Sequence, residues 1–321
     1  MFVAALNYKQ MELYHALPFF FYLLGVCCQQ KTVTQKLLKL VKIGVTVLVT
    51  FAVIWSPWLL SGPESVIQVV RRIFPFNRGL FEDKVASFWC VADIVLKLKH
   101  RMEIPDLAKL CLASTFVLSL PTNFHLLFRP SMRNFILSLV NTSLVFFLFS
   151  FHVHEKTILL AAIPICLLTY SETEPIITRT IVPWILTVTT FSMLPLLIKD
   201  GLLLPTLALS LLYLTVSHSL PDLCHMTLDT RHTPVTSPAP ITPDTWSQTI
   251  IKTLGHVSLL GCVVITVMSQ VVPPPDKYPY LWPLIICAYS AGHFLLALVY
   301  FHYLQFSGRE IMGKKLKQKT N

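Results

Sequence analysis

Charge is what this chain has least of. Only 13% of its 321 residues are Asp, Glu, Lys or Arg, against about a quarter in an ordinary soluble domain. The deficit runs the whole length, and no polar block is long enough to fold separately, so two soluble domains are excluded. The chain also lacks the spacings that hold zinc. Cys27, Cys28, Cys90, Cys111, Cys166, Cys224, Cys262 and Cys287 form no CxxC and no Cys/His pattern. Most lie inside apolar runs and read as small buried hydrophobes. No metal and no cofactor is expected. The start, MFVAALNYKQMELY, has neither a basic n-region nor a cleavage site. It enters its first apolar stretch abruptly, like the middle of a longer protein. No basic groove interleaved with aromatics is present, so nucleic acid is not an expected partner. The net charge of +10 reads instead as lysine and arginine at membrane flanks and in cytosolic loops. No internal inverted repeat supports a secondary transporter.

What is present is apolar: 54% hydrophobic residues and a mean hydropathy of +0.63. A membrane span needs about 20 apolar residues, fewer when flanking side chains snorkel. Candidate spans are roughly Met11–Cys28, Val41–Leu60, Leu107–Phe128, Asn134–Phe151, Thr157–Tyr170, Ile177–Ile198, Leu202–Val216, Thr249–Val272 and Leu281–Phe306. Pro18, Pro121, Pro164, Pro183, Pro195 and Pro205 interrupt them, which membrane helices tolerate when neighbours satisfy the freed carbonyls. Val85–Leu98 is a weaker tenth candidate, short and basic at its end, read as re-entrant or interfacial. The fold class is an all-α polytopic membrane protein with about 9–10 transmembrane helices, in a single membrane domain over residues 1–321.

Basic residues near the helix ends set the orientation. Arg309, Lys314, Lys315, Lys317 and Lys319 place the tail (about 307–321) in the cytosol, as Lys31, Lys36 and Lys39 do for residues 29–39. The polar stretch about 217–248, rich in Pro, Thr and His, is then a cytosolic loop. Its His218, His225 and His232 read as loop residues. A lumenal loop covers about 61–105. Within it, Val66, Ile67, Val70, Ile73 and Phe74 fall on one helical face and Glu64, Gln68, Arg71 and Arg72 on the other. That is an amphipathic helix lying on a bilayer. Three polar clusters share the lumenal face: NYKQMELY (Asn7–Tyr14), FPFNRGLFEDK (Phe74–Lys84) and HVHEK (His152–Lys156). The Asn141-Thr142-Ser143 sequon lies in an apolar segment and is not expected to be glycosylated. His125, His256, His293 and His302 read as packed or interfacial residues.

Carboxylates beside lysine, arginine and histidine at a membrane face suit a charged lipid headgroup. A cation holds phosphate, and a carboxylate orients or deprotonates a sugar hydroxyl. The same residue types serve proton coupling in transporters, or merely solvate a helix end. The run FPFNRGLFEDKVASFWC (Phe74–Cys90) resembles the signature of the dolichyl-phosphate-glucose-dependent α-1,3-glucosyltransferases of the endoplasmic reticulum. Phe81-Glu82-Asp83-Lys84-Val85-Ala86 fits the branch that adds the first glucose. The sister branch carries a His-Ala-Tyr-Trp-type run there. NYKQMELYHALPFFFYLL (Asn7–Leu24), FFLFSFHVHEKTILL (Phe146–Leu160) and FSMLPLLIKDGLLLP (Phe191–Pro205) resemble the same family, in order and over almost the whole chain.

The resemblance implies the C-terminal portion of a C-type (GT-C) glycosyltransferase fold. It implies transfer of glucose from dolichyl phosphate glucose to the dolichyl-diphosphate-linked Man9GlcNAc2 oligosaccharide, with inversion, in the N-glycosylation pathway. Arg78, Lys84, His154 and Lys156 are the candidates to stabilise the phosphate leaving group; Glu82, Asp83 and Glu155 would orient the sugar or these cations. The family's general base lies in an N-terminal portion that precedes the first residue here, so no catalytic residue is assigned. The headgroups are polar and the tails polyprenyl, so membrane lipid is a further partner. The alternative is a non-catalytic fragment that binds dolichol-linked lipids or modulates the full-length enzyme. The implied location is the endoplasmic reticulum membrane, multi-pass, with a lumenal active face. The end, Lys317-Gln318-Lys319-Thr320-Asn321, has the KxKxx form of a retrieval signal.

Overall fold

An apolar segment in lipid must satisfy its own amides, and helices do this within one segment. Every regular element found is helical, with no strand among the described residues. The computed structural model describes residues 1–73, 85–151, 153–172, 174–229 and 246–307, with the backbone alone at 99–100 and 220–229.

The chain opens with α1 (Phe2–Tyr8), a 3-10 turn (Gln10–His15) and α2 (Ala16–Cys28). Then comes α3 (Val33–Leu60), 28 residues long. It starts earlier than its apolar run because Thr32 caps it, the Oγ1 accepting from Gln35 N at 3.3 Å. Its first turns carry Lys36 and Lys39, and good helix formers continue the helix past the apolar boundary. Gly62, at φ +99°, turns the chain into α4 (Pro63–Ile73). This is the amphipathic helix read from the sequence, and none of its residues is buried. The tenth candidate span becomes α5 (Phe88–Leu96), nine residues long. At 1.5 Å per residue it covers about 14 Å, under half of a bilayer core. Lys97 stops it with a left-handed φ of 49°, and α6 (Leu98–Arg101) follows.

Beyond it come α7 (Ile104–Phe128) and α8 (Met132–Phe149). A 3-10 turn (Glu155–Ile158) leads into α9 (Leu159–Ser171), and a π turn (Ile177–Ile181) into α10 (Val182–Ser192). The rest are α11 (Leu194–Lys199), α12 (Leu203–Asp229), α13 (Trp246–Val271) and α14 (Leu281–Phe306). Each of the nine candidate spans is helical. Among the described residues, six stretches are long and apolar enough to cross: Gln10–Cys28, Val33–Leu60, Ile104–Phe128, Met132–Phe149, Trp246–Val271 and Leu281–Phe306. The chain is thus an all-α, multi-pass membrane protein. Of the other three, α9 is 13 residues long, Ile177–Ile198 is broken at Met193, and the apolar part of α12 is the shorter stretch Leu203–Ser219. Only Pro121 and Pro164 of the six prolines sit inside a helix. Pro18, Pro183, Pro195 and Pro205 occupy first turns, where the missing amide has no helical partner to lose. α12 continues to Asp229, so the stretch read as a loop from about 217 starts as helix.

Two compact units emerge. The first contains α1–α4, α7, α8 and the end of α14. Its core is the α2, α7 and α8 packing, with α2 so close to α7 that a Cβ on Gly25 would lie 2.7 Å from Leu127 O. Buried polar side chains join its helices: Gln305 Oε1 accepts from Thr122 Oγ1 and from Asn141 Nδ2 (2.9 Å), and Asn123 Nδ2 donates to Thr142 Oγ1 (3.0 Å). The second unit contains α5, α6, α9–α13 and the start of α14. Inside it, Trp184 Nε1 donates to Ser258 Oγ (2.8 Å), and Ser258 Oγ meets His293 Nε2 at 2.7 Å. Tyr289 Oη donates to Ser258 O (2.8 Å).

Candidate functional site

Of the sequence-derived site residues, His154, Glu155 and Lys156 are described; Arg78, Glu82, Asp83 and Lys84 lie outside the described residues, as do the tail lysines and His152. His154 precedes the Glu155–Ile158 turn with an extended backbone. Two reciprocal bonds hold it. Its backbone N–H donates to Thr157 Oγ1 (3.3 Å), and its ring Nδ1 accepts from Lys156 N (3.3 Å). A ring nitrogen that accepts carries no proton, so the neutral ring bears its proton on Nε2. Thr157 and Ile158 are buried and root the turn, whereas His154 and Lys156 are exposed and Glu155 is half-buried. The turn thus presents an imidazole N–H donor, a carboxylate and an ammonium on three consecutive residues at the mouth of α9. That set suits a phosphate beside a hydroxyl-bearing group.

The described end of FPFNRGLFEDKVASFWC is firmly seated. Val85, Ala86 and Ser87 are each 2% exposed, and Trp89 is buried. Ser87 Oγ caps α5 by accepting from Cys90 N at 3.2 Å. Phe88 stands edge-on to Trp89. Of the other aromatic residues of this run, Phe74, Phe76 and Phe81 lie outside the described residues.

The first cluster is also ordered, in the other unit. Asn7 Oδ1 accepts from Trp55 Nε1 (2.5 Å), and Asn7 Nδ2 donates to Val3 O (2.7 Å). Tyr14 is buried, its hydroxyl 3.3 Å from Ser150 Oγ and its ring against Phe146. Glu12 Oε2 lies 2.8 Å from His15 Nδ1. Sequence reasoning found the cluster but did not single out Glu12 or His15. The available signal was an acid and a histidine three apart, where polar residues give way to the apolar Ala16-Leu17-Pro18.

The remaining candidates have structural surroundings. Asn141, Thr142 and Ser143 are buried in the bundle, which closes the sequon to a glycan. His293 is bonded to Ser258, His302 Nδ1 lies 2.9 Å from Leu298 O, His125 stands edge-on to Phe306, and His256 is exposed. Cys27, Cys111, Cys262 and Cys287 are buried, while Cys28 and Cys166 are exposed.

Residues 1–300 match the ALG6, ALG8 glycosyltransferase family. A Drosophila melanogaster protein named probable dolichyl pyrophosphate Man9GlcNAc2 alpha-1,3-glucosyltransferase is 43% identical over 308 residues, covering 96% of this chain and 59% of that protein. The dolichyl pyrophosphate Man9GlcNAc2 alpha-1,3-glucosyltransferases of Gallus gallus and Mus musculus are 43% and 40% identical, over 94% of this chain and 59% of theirs. The chain therefore spans about three-fifths of the length of these curated relatives. The match runs through all three polar clusters and nearly every helix, and on that basis the chain belongs to the ALG6, ALG8 glycosyltransferase family.

Proposed function

We propose that this chain takes part in moving glucose from dolichyl phosphate glucose to dolichyl-diphosphate-linked Man9GlcNAc2, at the lumenal face of the endoplasmic reticulum membrane. The observation that carries the reading is the braced His154–Lys156 turn at the start of α9. It is supported by the names of the relatives.

In the proposed reaction the 3-hydroxyl oxygen of a terminal mannose attacks C1 of the donor glucose from the face opposite the phosphate. The new C–O bond forms as the C1–O bond to phosphate breaks. Dolichyl phosphate leaves with the electron pair, and the configuration at C1 inverts. The hydroxyl proton passes to a carboxylate that the family resemblance places ahead of residue 1. The phosphate leaving group needs charge stabilisation more than a proton. Lys156 supplies a cation and His154 an Nε2–H donor, with Arg78 and Lys84 in the same role. Glu155, Glu82 and Asp83 orient sugar hydroxyls or hold these cations in place. Exposed apolar side chains along α3 and α13, such as Leu48, Val53, Leu260 and Val263, face the bilayer from which both polyprenyl tails enter.

The test is expression in cells that lack the native enzyme, followed by analysis of their lipid-linked oligosaccharides. The chain extended by the N-terminal portion of a relative should restore the monoglucosylated species. Within it, His154→Ala and Lys156→Ala should each lower transfer by about 10²-fold, the scale of a lost charge-stabilising donor. If the extended chain restores nothing, or if both variants keep full activity, the reading is wrong.

A further inference from the structure

The strongest unassigned feature is the Glu12–His15 pair. Glu12 Oε2 and His15 Nδ1 are 2.8 Å apart, with the His15 side chain 9% exposed and that of Glu12 26% exposed. Both lie on the 3-10 turn Gln10–His15, which opens the apolar stretch Gln10–Cys28. In a 3-10 helix, residues three apart eclipse, which sets the carboxylate directly over the imidazole. Tyr14 fixes the turn between them, its ring on Phe146 and its hydroxyl at Ser150 on the end of α8.

A surface ion pair leaves both partners in water and contributes little. Here the histidine is withdrawn from water at the edge of a membrane span, where an ionisable pair is costly to keep. The carboxylate is held through Oε2, and its side chain stays 26% exposed. A carboxylate so placed repels phosphate and accepts hydrogen bonds from hydroxyls. The chemistry therefore points to a neutral polyol, not to an anionic headgroup.

We propose that Glu12 is a sugar-binding residue, accepting a hydrogen bond from a hydroxyl of a lipid-linked sugar, and that His15 is the positioning residue that aims it. This rests on the reading that the chain handles dolichol-linked sugars, and it adds a contact to the sugar itself, separate from the phosphate-facing turn at His154.

The test uses the full chain in nanodiscs and four radiolabelled lipids. Two carry sugar, dolichyl phosphate glucose and dolichyl-diphosphate Man9GlcNAc2; two lack it, dolichyl phosphate and dolichyl diphosphate. Glu12→Gln keeps the shape and removes the charge. It should weaken one sugar-bearing lipid by about ten- to hundredfold, the scale of a hydrogen bond to a charged group, and leave the sugar-free lipids unchanged. Which sugar lipid responds identifies the sugar that Glu12 holds. His15→Gln should show the same selectivity with a smaller loss, and Glu12→Asp should recover part of the binding. Equal loss for sugar-bearing and sugar-free lipids would make the pair a structural brace and overturn the proposal. Unchanged binding of both sugar lipids would overturn it as well. A wild-type chain that binds none of the four lipids would instead overturn the functional reading beneath it.

Discussion

Replacing Gln305 with Met should loosen the first unit without leaving a void. Gln305 is fully buried near the end of α14. Its Oε1 accepts from Thr122 Oγ1 and from Asn141 Nδ2 (2.9 Å), and its Nε2 donates to Thr122 O (2.9 Å). Met has nearly the same volume and no hydrogen-bonding head, so the packing term stays small. What goes is a set of bonds tying α14 to α7 and α8. Hydrogen bonds between membrane helices are each worth about 0.6 kcal/mol on average and at most about 1.7 kcal/mol. Losing this set should cost about 2 kcal/mol. Asn141 has little to fall back on. Its Oδ1 has no partner among the described residues, and its remaining contact, Nδ2 to Thr122 Oγ1, is long at 3.5 Å. The measurement is reversible unfolding of the full chain in mixed micelles. A cycle with Asn141→Leu should give a coupling of roughly 0.6–1.7 kcal/mol. A neutral or stabilised Gln305→Met together with zero coupling would refute the network as the fastening of α14.

Gly261→Ala builds a Cβ 2.3 Å from Tyr289 Oη, so the ring must move and its bond to Ser258 O must break. The expected cost is about 1–3 kcal/mol, and it should shrink in a Tyr289→Phe background. Gly25→Ala sets a helix-propensity gain of about 1 kcal/mol against a 2.7 Å approach to the Leu127 carbonyl, which as backbone cannot swing aside. Net destabilisation in the same unfolding assay is expected, and a rise in stability would mean that α2 and α7 do not approach so closely. Thr157→Val removes the acceptor for the His154 N–H and should cost about 1 kcal/mol. Glucosyl transfer by the extended chain should fall with it if His154 needs that brace.

The spans were legible because their signal is summed over many residues. A run such as Val41–Leu60 leaves little but a membrane helix, whatever it packs against. Boundaries were less so: α3 starts at Val33 on helix propensity that hydropathy does not register, and α12 runs on to Asp229 through Pro221, against the local signal. The six prolines carried the same letter but two meanings: in a first turn proline is compatible with the helix, inside it proline interrupts bonding, and only the cap positions separate the two. The candidate site residues were found from local charge and from resemblance. Their bracing was not, because the His154–Thr157 reciprocity depends on backbone angles. The polar side chains at Thr122, Asn141 and Gln305 were invisible as a set. They are far apart in sequence and meet only when three helices do.

The pair at Glu12 and His15 was missed for a different reason, and it has a parallel. Both described polar clusters with ionisable side chains use a 3-10 turn as the entry to an α-helix: Gln10–His15 into α2, and Glu155–Ile158 into α9. In each, the decisive contact joins residues three apart, Glu12 with His15 and the backbone of His154 with Thr157. A 3-10 turn rises about 2.0 Å per residue against 1.5 Å in the α-helix, and it aligns every third side chain. It therefore lifts a short polar run clear of the apolar helix below while stacking its groups in register. An α-helical reading spreads the same residues around the helix and sees only scattered polarity. The spacing of three at the polar-to-apolar boundary is thus the feature to seek at other span entrances of this family, with a histidine at one end of the turn as its companion.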